Sequence, residues 1–236
     1  MVPLRAATAL LPVTAHQVPD SSFEMSLGAQ ARLDAIAVQV RACNLCPLHL
    51  SRTQGVPGVG PATARIMAVG EAPGESEDRE GRPFVGAAGR LLTQLLEEIG
   101  LSRDDIFITN VLKSRPPGNR DPLPEEVLAC APYLDAQIEV LQPEVILLLG
   151  RHALQRLLPQ APGISRAHGT LVRQGERTYM PCYHPAAALY NGGLMGVLRQ
   201  DFQRLKDHLN QPLASPRVPA TAEAPAVPAD EQLGLF

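Results

Sequence analysis

Residues 66–89 read IMAVGEAPGESEDREGRPFVGAAG, and the change of character along them decides the fold class. Ile66 to Val69 is a short unbroken apolar run, the pattern of a strand covered on both faces. Gly70 to Gly89 is an acidic loop with five glycines and a single aromatic residue, Phe84. From Ala87 to Ile99 apolar residues recur at helical spacing, and Gly100 reads as the C-cap. In an α/β sheet, the loop leaving a strand's carboxyl end is where ligands sit. The phosphate-cradling patterns G-x-x-x-x-G-K-[ST] and G-x-G-x-x-G are both absent. This loop instead suits a flat, neutral ligand. Its glycines admit close backbone approach, Phe84 offers a stacking face, and Glu71, Glu75, Glu77 and Asp78 can accept hydrogen bonds or activate water. The competing reading is a solvated acidic turn.

Outward from this unit, strands and helices alternate. A helix is predicted over Ala29 to Ala42, with Leu33, Ile36, Ala37 and Val40 on one face, followed by a Gly/Pro-rich loop from Ser51 to Pro61. A strand is predicted over Ile106 to Leu112. A Pro-rich loop, Pro116 to Pro122, then leads to a helix over Pro124 to Leu141, whose first turn carries Pro124, Glu125 and Glu126. Val145 to Leu149 reads as a buried parallel strand and Arg151 to Leu158 as the helix after it. A hairpin is predicted from Gly169 to Tyr183, turning near Gly175, and a last helix over Met195 to Leu209. The alternation argues for an α/β fold with a mostly parallel, doubly wound sheet.

The chain has 236 residues, a length suited to one α/β domain with tails. Residues 1–27 read as a flexible arm, 28–209 as the domain, 210–230 as a Pro/Ala-rich linker and 231–236 as a distinct terminal peptide. A formal net charge of -3 excludes nucleic-acid binding through bulk positive charge, while leaving room for a few well-placed cations. No apolar run approaches the roughly 18 residues of a membrane span. The N-terminal stretch is a poor signal peptide, which points to a cytoplasmic protein. In that compartment the four cysteines read as metal ligands or inert core thiols rather than disulfides.

Polar groups cluster at or after the predicted strand ends: Glu71, Asn110, Lys113 with Ser114 and Arg115, and His184. Parallel strands bring such ends to one rim. An asparagine amide offers a donor and an acceptor, matching the N–H and C=O on a pyrimidine edge. A histidine can donate to a carbonyl on which negative charge develops. With Phe84 to stack, this set fits an enzyme acting on an extruded nucleobase. Taken singly, Asn110 could cap a turn, His184 could be a satisfied core histidine, and Phe84 could be ordinary core.

The blocks GEAPGESED with GRPFVGAAG, TNVLKSRPPGNRDPLPEE, CAPYLDAQIEVLQPEVILLLG and YHPAAAL occur in an order that resembles the iron-sulfur uracil-DNA glycosylases, the thermostable-type branch of the uracil-DNA glycosylase superfamily. The resemblance covers about Ala35 to Leu209. It implies a three-layer α/β/α sandwich around a short, mostly parallel sheet, and hydrolysis of the bond between uracil and deoxyribose. Carried over by motif, Phe84 stacks on uracil, Asn110 reads its N3 and O4 edge, and His184 hydrogen-bonds O2. Glu77 sits beside C5 and helps reject thymine. Ala72 stands where other branches carry a water-activating aspartate, which leaves Glu71 as the nearest candidate to position water. Leu189 is a candidate to fill the gap left by the flipped base, and Lys113, Arg115, Arg120 and the amides from Gly86 through Gly89 to Arg90 are candidates to grip phosphates. A related branch captures the abasic sugar through a histidine in a basic insert. This chain has SRPPGNRDP there, so ordinary turnover is expected.

The resemblance also implies a [4Fe-4S] cluster, for which Cys43, Cys46 and Cys130 match three of four ligands. Ser114 stands in place of the fourth cysteine, in Lys113-Ser114-Arg115. The alternatives are a cluster with Ser114 or water on the fourth iron, a three-iron cluster, a zinc site, or no metal. Cys182, by the expected uracil pocket, is not counted as a ligand. The terminal peptide Gln232-Leu233-Gly234-Leu235-Phe236 resembles the Q-L-x-L-F motif that docks bacterial repair proteins on the sliding clamp, with Gln232, Leu233, Leu235 and Phe236 as contacts. The partners expected are therefore uracil-containing DNA and the clamp, for a monomeric enzyme. Two other functions compete: a damage-binding module without turnover and an iron-sulfur redox sensor.

Overall fold

The structure, a computed structural model, describes residues 21–211. Among these, α1 (Ser21–Ala42) leads to β1 (Ile66–Gly70), then α2 (Glu75–Glu80), α3 (Ala87–Glu98), β2 (Phe107–Asn110), α4 (Pro124–Leu141), β3 (Val145–Leu149) and α5 (Arg151–Leu157). The chain closes with α6 (Ile164–Ala167), β4 (Val172–Gln174), β5 (Arg177–Cys182), α7 (Pro185–Tyr190) and α8 (Leu194–Leu209). The strand order is β2-β1-β3-β5-β4. All neighbours pair in parallel except the edge hairpin strand β4. The chain runs outward from β1 to β2 and then crosses to β3, so the order reverses beside β1, the place where open α/β sheets bind ligands.

Period-2 alternation along β1 sorts its side chains into two cores. Ile66 and Ala68 face Leu91, Leu92, Leu95 and Leu96 of α3 and Leu198, Phe202 and Leu205 of α8. Met67 and Val69 face Leu33, Ile36 and Val40 of α1, Leu134, Ile138 and Leu141 of α4, and Leu154 of α5. This is the expected three-layer α/β/α sandwich. Each buried leucine of α3 contributes about 1.5–3 kcal/mol through removal from water. The side of α3 that carries these leucines therefore anchors the acidic loop to the sheet.

Four boundaries differ from the sequence reading. The first helix begins at Ser21, inside the residues assigned to the arm, because Glu24, Met25 and Leu27 are good helix formers and one glycine, Gly28, is too weak a breaker to stop it. The acidic loop contains α2, ended by Gly81 in the left-handed conformation at φ 70°. Strand β2 stops at Asn110, although the Val111 and Leu112 amides still bond to the Gly70 and Glu71 carbonyls. Helices α6 and α7 are too short for the sequence to show a period. The linker beyond Gln211 and the terminal peptide lie outside the described residues, as does the arm before Ser21.

Candidate active site

The carboxyl ends of β1 and β2 and the turn after β5 open into one cavity of about 300 Å³, lined by Glu71, Ala72, Glu77, Phe84, Asn110, Asn119, Arg120, His184 and Tyr190 among others. Gly70 sits opposite Asn110 in the β1–β2 register. A Cβ on Gly70 would lie 2.4 Å from Asn110 Oδ1 and 2.6 Å from Phe84 Cζ, so only glycine lets these two side chains meet across the strand end. Phe84 itself has φ 53°, a left-handed conformation unusual for a bulky residue and the kind of local strain that collects at functional sites. Behind it, a Cβ on Gly89 would lie 1.8 Å from the Phe84 carbonyl oxygen. Gly70 and Gly89 are thus explained by close packing around Phe84, whose ring lines the cavity.

Phe84 and His184 stack with ring centroids 5.5 Å apart and planes 26° apart. His184 caps α7, accepting the Ala186 amide hydrogen on Nδ1 at 3.2 Å. Burial pulls its pKa down to about 4, opposed only weakly by the charge of Glu77. The ring is therefore neutral, with its proton on Nε2. Asn110 is buried, and its Oδ1 has no hydrogen-bond partner.

Glu71 is held above the usual carboxylate range, chiefly by burial and further by Asp121, with His152 and Arg151 opposing the rise. Its Oε2 lies 3.7 Å from His152 Nε2, and the same nitrogen lies 3.5 Å from Asp121 Oδ1. Arg151 pairs with Asp121 and donates Nε–H to His152 Nε2 at 3.1 Å. Sequence reasoning missed His152 and Arg151, since nothing in a helix N-terminus signals that it will abut a strand-end glutamate. Glu77 lines the cavity, and its Oε1 accepts the Val85 and Gly86 amides at 2.9 Å each. Asp78 is buried and accepts the Thr53 amide, a fixed structural role that removes it from the water-activating candidates.

Of the phosphate-binding expectations, the structure contradicts those for Lys113 and the Gly86 amide. Lys113 is buried, with Nζ donating to Thr109 Oγ1 at 2.6 Å and to Asn110 O and Gln137 Oε1 at 2.8 Å. All three donors are used inside the protein, and burial lowers its pKa to about 7. The Gly86 amide is taken by Glu77, and Gly89 serves the packing described above. Arg115 pairs with Glu75 and Asn119 Oδ1, while Arg120 forks onto Glu126. Leu189 is half exposed on α7, beside Tyr190, which is 92% exposed at the cavity mouth.

On the other side of the strand end, Cys130 packs with Leu48, Leu112, Cys46 and Ala72. The Lys113 amide donates to Cys130 Sγ at 3.4 Å. Burial raises the pKa of both Cys46 and Cys130; Cys43 lies close enough to add to the rise in both, and Cys46 to that in Cys130. Ser114 is buried, and its Oγ accepts Arg52 Nη1 at 2.7 Å. The other Arg52 nitrogen, Nη2, donates to the Arg41 and Cys43 carbonyls at 2.8 Å. The three cysteines are therefore grouped as a three-thiolate cluster would need, and the Ser114 hydroxyl, expected as the fourth corner, is already committed to a guanidinium. Cys182 is wholly buried in the α3/α8 core and does not line the cavity.

A family model described as the uracil DNA glycosylase superfamily matches residues 57–213. The chain is 48% identical to a type-4 uracil-DNA glycosylase of Sulfurisphaera tokodaii, over 74% of this chain and 84% of that protein. It is 49% identical to a type-4 uracil-DNA glycosylase of Saccharolobus solfataricus, over 75% of this chain and 87% of that protein. A third, from Thermotoga maritima, is 42% identical over 76% of this chain and 95% of that protein. Sheet topology, strand-end cavity and sequence matches agree: the chain belongs to the uracil DNA glycosylase superfamily, among its type-4 members.

Proposed function

We infer that this chain is a monofunctional glycosylase that hydrolyses the bond between uracil and deoxyribose in DNA. The observation that carries the reading is the buried, unpartnered Asn110 Oδ1 in a cavity walled by a strained phenylalanine and a neutral histidine. A buried polar atom without a partner costs about 1–3 kcal/mol, and a uracil edge that donates N3–H removes that cost while the amide N–H meets O4. Phe84 stacks on the ring. As the glycosidic bond breaks, its electron pair moves onto the base, and the sugar acquires oxocarbenium character. Nε2–H of His184 stabilises the developing charge at O2 without delivering its proton. Glu71, ionised, orients a water for addition at C1′, and Glu77, fixed by two amides, stands where a C5 methyl would press.

Cys43, Cys46 and Cys130 would hold an iron-sulfur cluster. Bound there, the group would supply a cross-link between the end of α1 and α4, and no chemistry at the uracil pocket. Docking on a sliding clamp through Gln232, Leu233, Leu235 and Phe236, and a monomeric state, complete the proposal. The motif lies outside the described residues. No helix among the described residues is long and apolar enough to cross a membrane.

The test is strand cleavage by alkali after incubation with a uracil-containing oligonucleotide, with thymine DNA and Asn110→Asp as controls. Cleavage at uracil alone, lost or altered in the variant, is the expected result. No cleavage by folded protein would favour a binding module on the same scaffold.

A further inference from the structure

The arginines that line or border the uracil cavity each have a carboxylate partner: Arg115 has Glu75, Arg120 has Glu126 and Arg151 has Asp121. A second cleft, about 310 Å³, is lined by Val59, Gly60, Pro61, Arg82, Arg103 and Asp104. Among the described residues neither Arg82 nor Arg103 makes an ion pair. Arg82 is exposed. Arg103 is half-buried and pinned by Nη2 donating to the Pro83 carbonyl at 2.7 Å and Nη1 to Thr93 Oγ1 at 3.4 Å. Its guanidinium is held below the usual arginine range by burial first and by the charge of Arg82 next, with Asp104 and Glu77 opposing. Glu77 is spent on the Val85 and Gly86 amides, which leaves Asp104 as one carboxylate against two guanidiniums.

We propose that the Arg82/Arg103 cleft takes a backbone phosphate of the uracil-bearing strand, within one or two nucleotides of the extruded base. The proposal rests on the glycosylase reading and names the part of the DNA that this reading leaves without a protein contact. Two like charges held in one half-buried cleft repel, and an anion between them relieves that repulsion. Guanidinium groups meet phosphate oxygens in fork geometry. Position follows from chain length: Arg82 precedes Phe84 by two residues, a span of at most about 7 Å. The Arg82 side of the cleft therefore lies within a short reach of the residue that stacks on the base. A chain with net charge -3 has no bulk attraction for DNA, so its unpaired arginines decide where the strand lies.

The experiment measures affinity against salt for a duplex carrying 2′-fluoro-deoxyuridine, a substrate analogue resistant to cleavage. Wild type is compared with Arg82→Gln, Arg82→Lys, the Arg82→Gln/Arg103→Gln pair, and Arg173→Gln on the distant edge strand β4. Each lost phosphate contact lowers the slope of log K against log[salt] by about 0.9. The expected result is one such step for Arg82→Gln, two for the pair, a slope near wild type for Arg82→Lys, and no change for Arg173→Gln. Thermal melts confirm folding, and the exposed Arg82 keeps the test valid if the Arg103 change unfolds the chain. Equal slopes for wild type and Arg82→Gln would overturn the proposal. So would equal slopes combined with saturable binding of inorganic phosphate by wild type alone, which would give the cleft to a free anion. Uracil excision is scored on the same wild-type preparation. Excision with equal slopes overturns the cleft alone, whereas a slope change without excision overturns the glycosylase reading and leaves the cleft standing.

Discussion

The Ala186 amide donates to Nδ1 of His184 at 3.2 Å, and that bond fixes the tautomer of the ring at the cavity. With Nδ1 an acceptor, the proton sits on Nε2, and burial with a pKa near 4 keeps the ring neutral. A neutral donor polarises O2 without protonating it. Replacing His184 with Ala should lower kcat by about 10²–10³, the cost of losing one donor to a developing oxyanion, with KM changed far less. Single-turnover kinetics on a uracil oligonucleotide check this. A rise in KM with kcat unchanged would instead make His184 a ground-state binder.

The acid limb of the pH profile belongs to Glu71. Its pKa is raised by burial, so activity should fall, as pH drops, at a value above the ordinary glutamate range, while His184 remains neutral down to about pH 4. His152 opposes the rise. His152→Ala should therefore move the limb to higher pH, and Glu71→Gln should abolish it along with most of the activity. A limb unmoved in His152→Ala would detach that ring from the chemistry.

Lys113 is a structural tripod rather than a phosphate ligand. Its Nζ ties the Asn110 carbonyl and Thr109 hydroxyl of β2 to Gln137 of α4. Lys113→Met keeps the volume and strips three donors from buried acceptors, an expected loss of about 1–3 kcal/mol. Urea melts measure that loss, and excision should weaken as Asn110 loosens. The salt slope of DNA binding should not move. A slope reduced by one phosphate contact would restore the surface role that its burial argues against.

The contrast between β1 and Lys113 shows what a sequence can and cannot reveal here. Ile66 to Val69 and the α3 leucines announce themselves because periodicity is local. Asn110 and His184 were legible because strand ends in a parallel sheet converge, so one rule of topology places residues far apart in the chain at one cavity. Lys113 also follows a strand end, but whether a lysine there reaches solvent depends on Gln137, on another element. Glu71, His152 and Asp121 meet for the same non-local reason. Charge counting alone also misses that Arg115 and Arg120 already have Glu75 and Glu126 beside them.

Ser114 and Arg52 define the last prediction. A hydroxyl is a far weaker iron ligand than a thiolate, and this one accepts Arg52 Nη1 at 2.7 Å. A cluster on Cys43, Cys46 and Cys130 therefore has one corner without a protein thiolate and should lose iron readily to chelators. Ser114→Cys places a thiol beside a guanidinium, which favours the thiolate and hence ligation. The variant should retain iron and acid-labile sulfide near about four of each per chain, the stoichiometry of a four-cysteine site, while wild type falls short. Iron and sulfide analysis, with the decay of cluster absorbance under chelator, reads this without reference to activity. Equal iron, sulfide and decay in the two proteins would mean that position 114 is not a ligand corner, and that the three thiols serve a smaller metal or none.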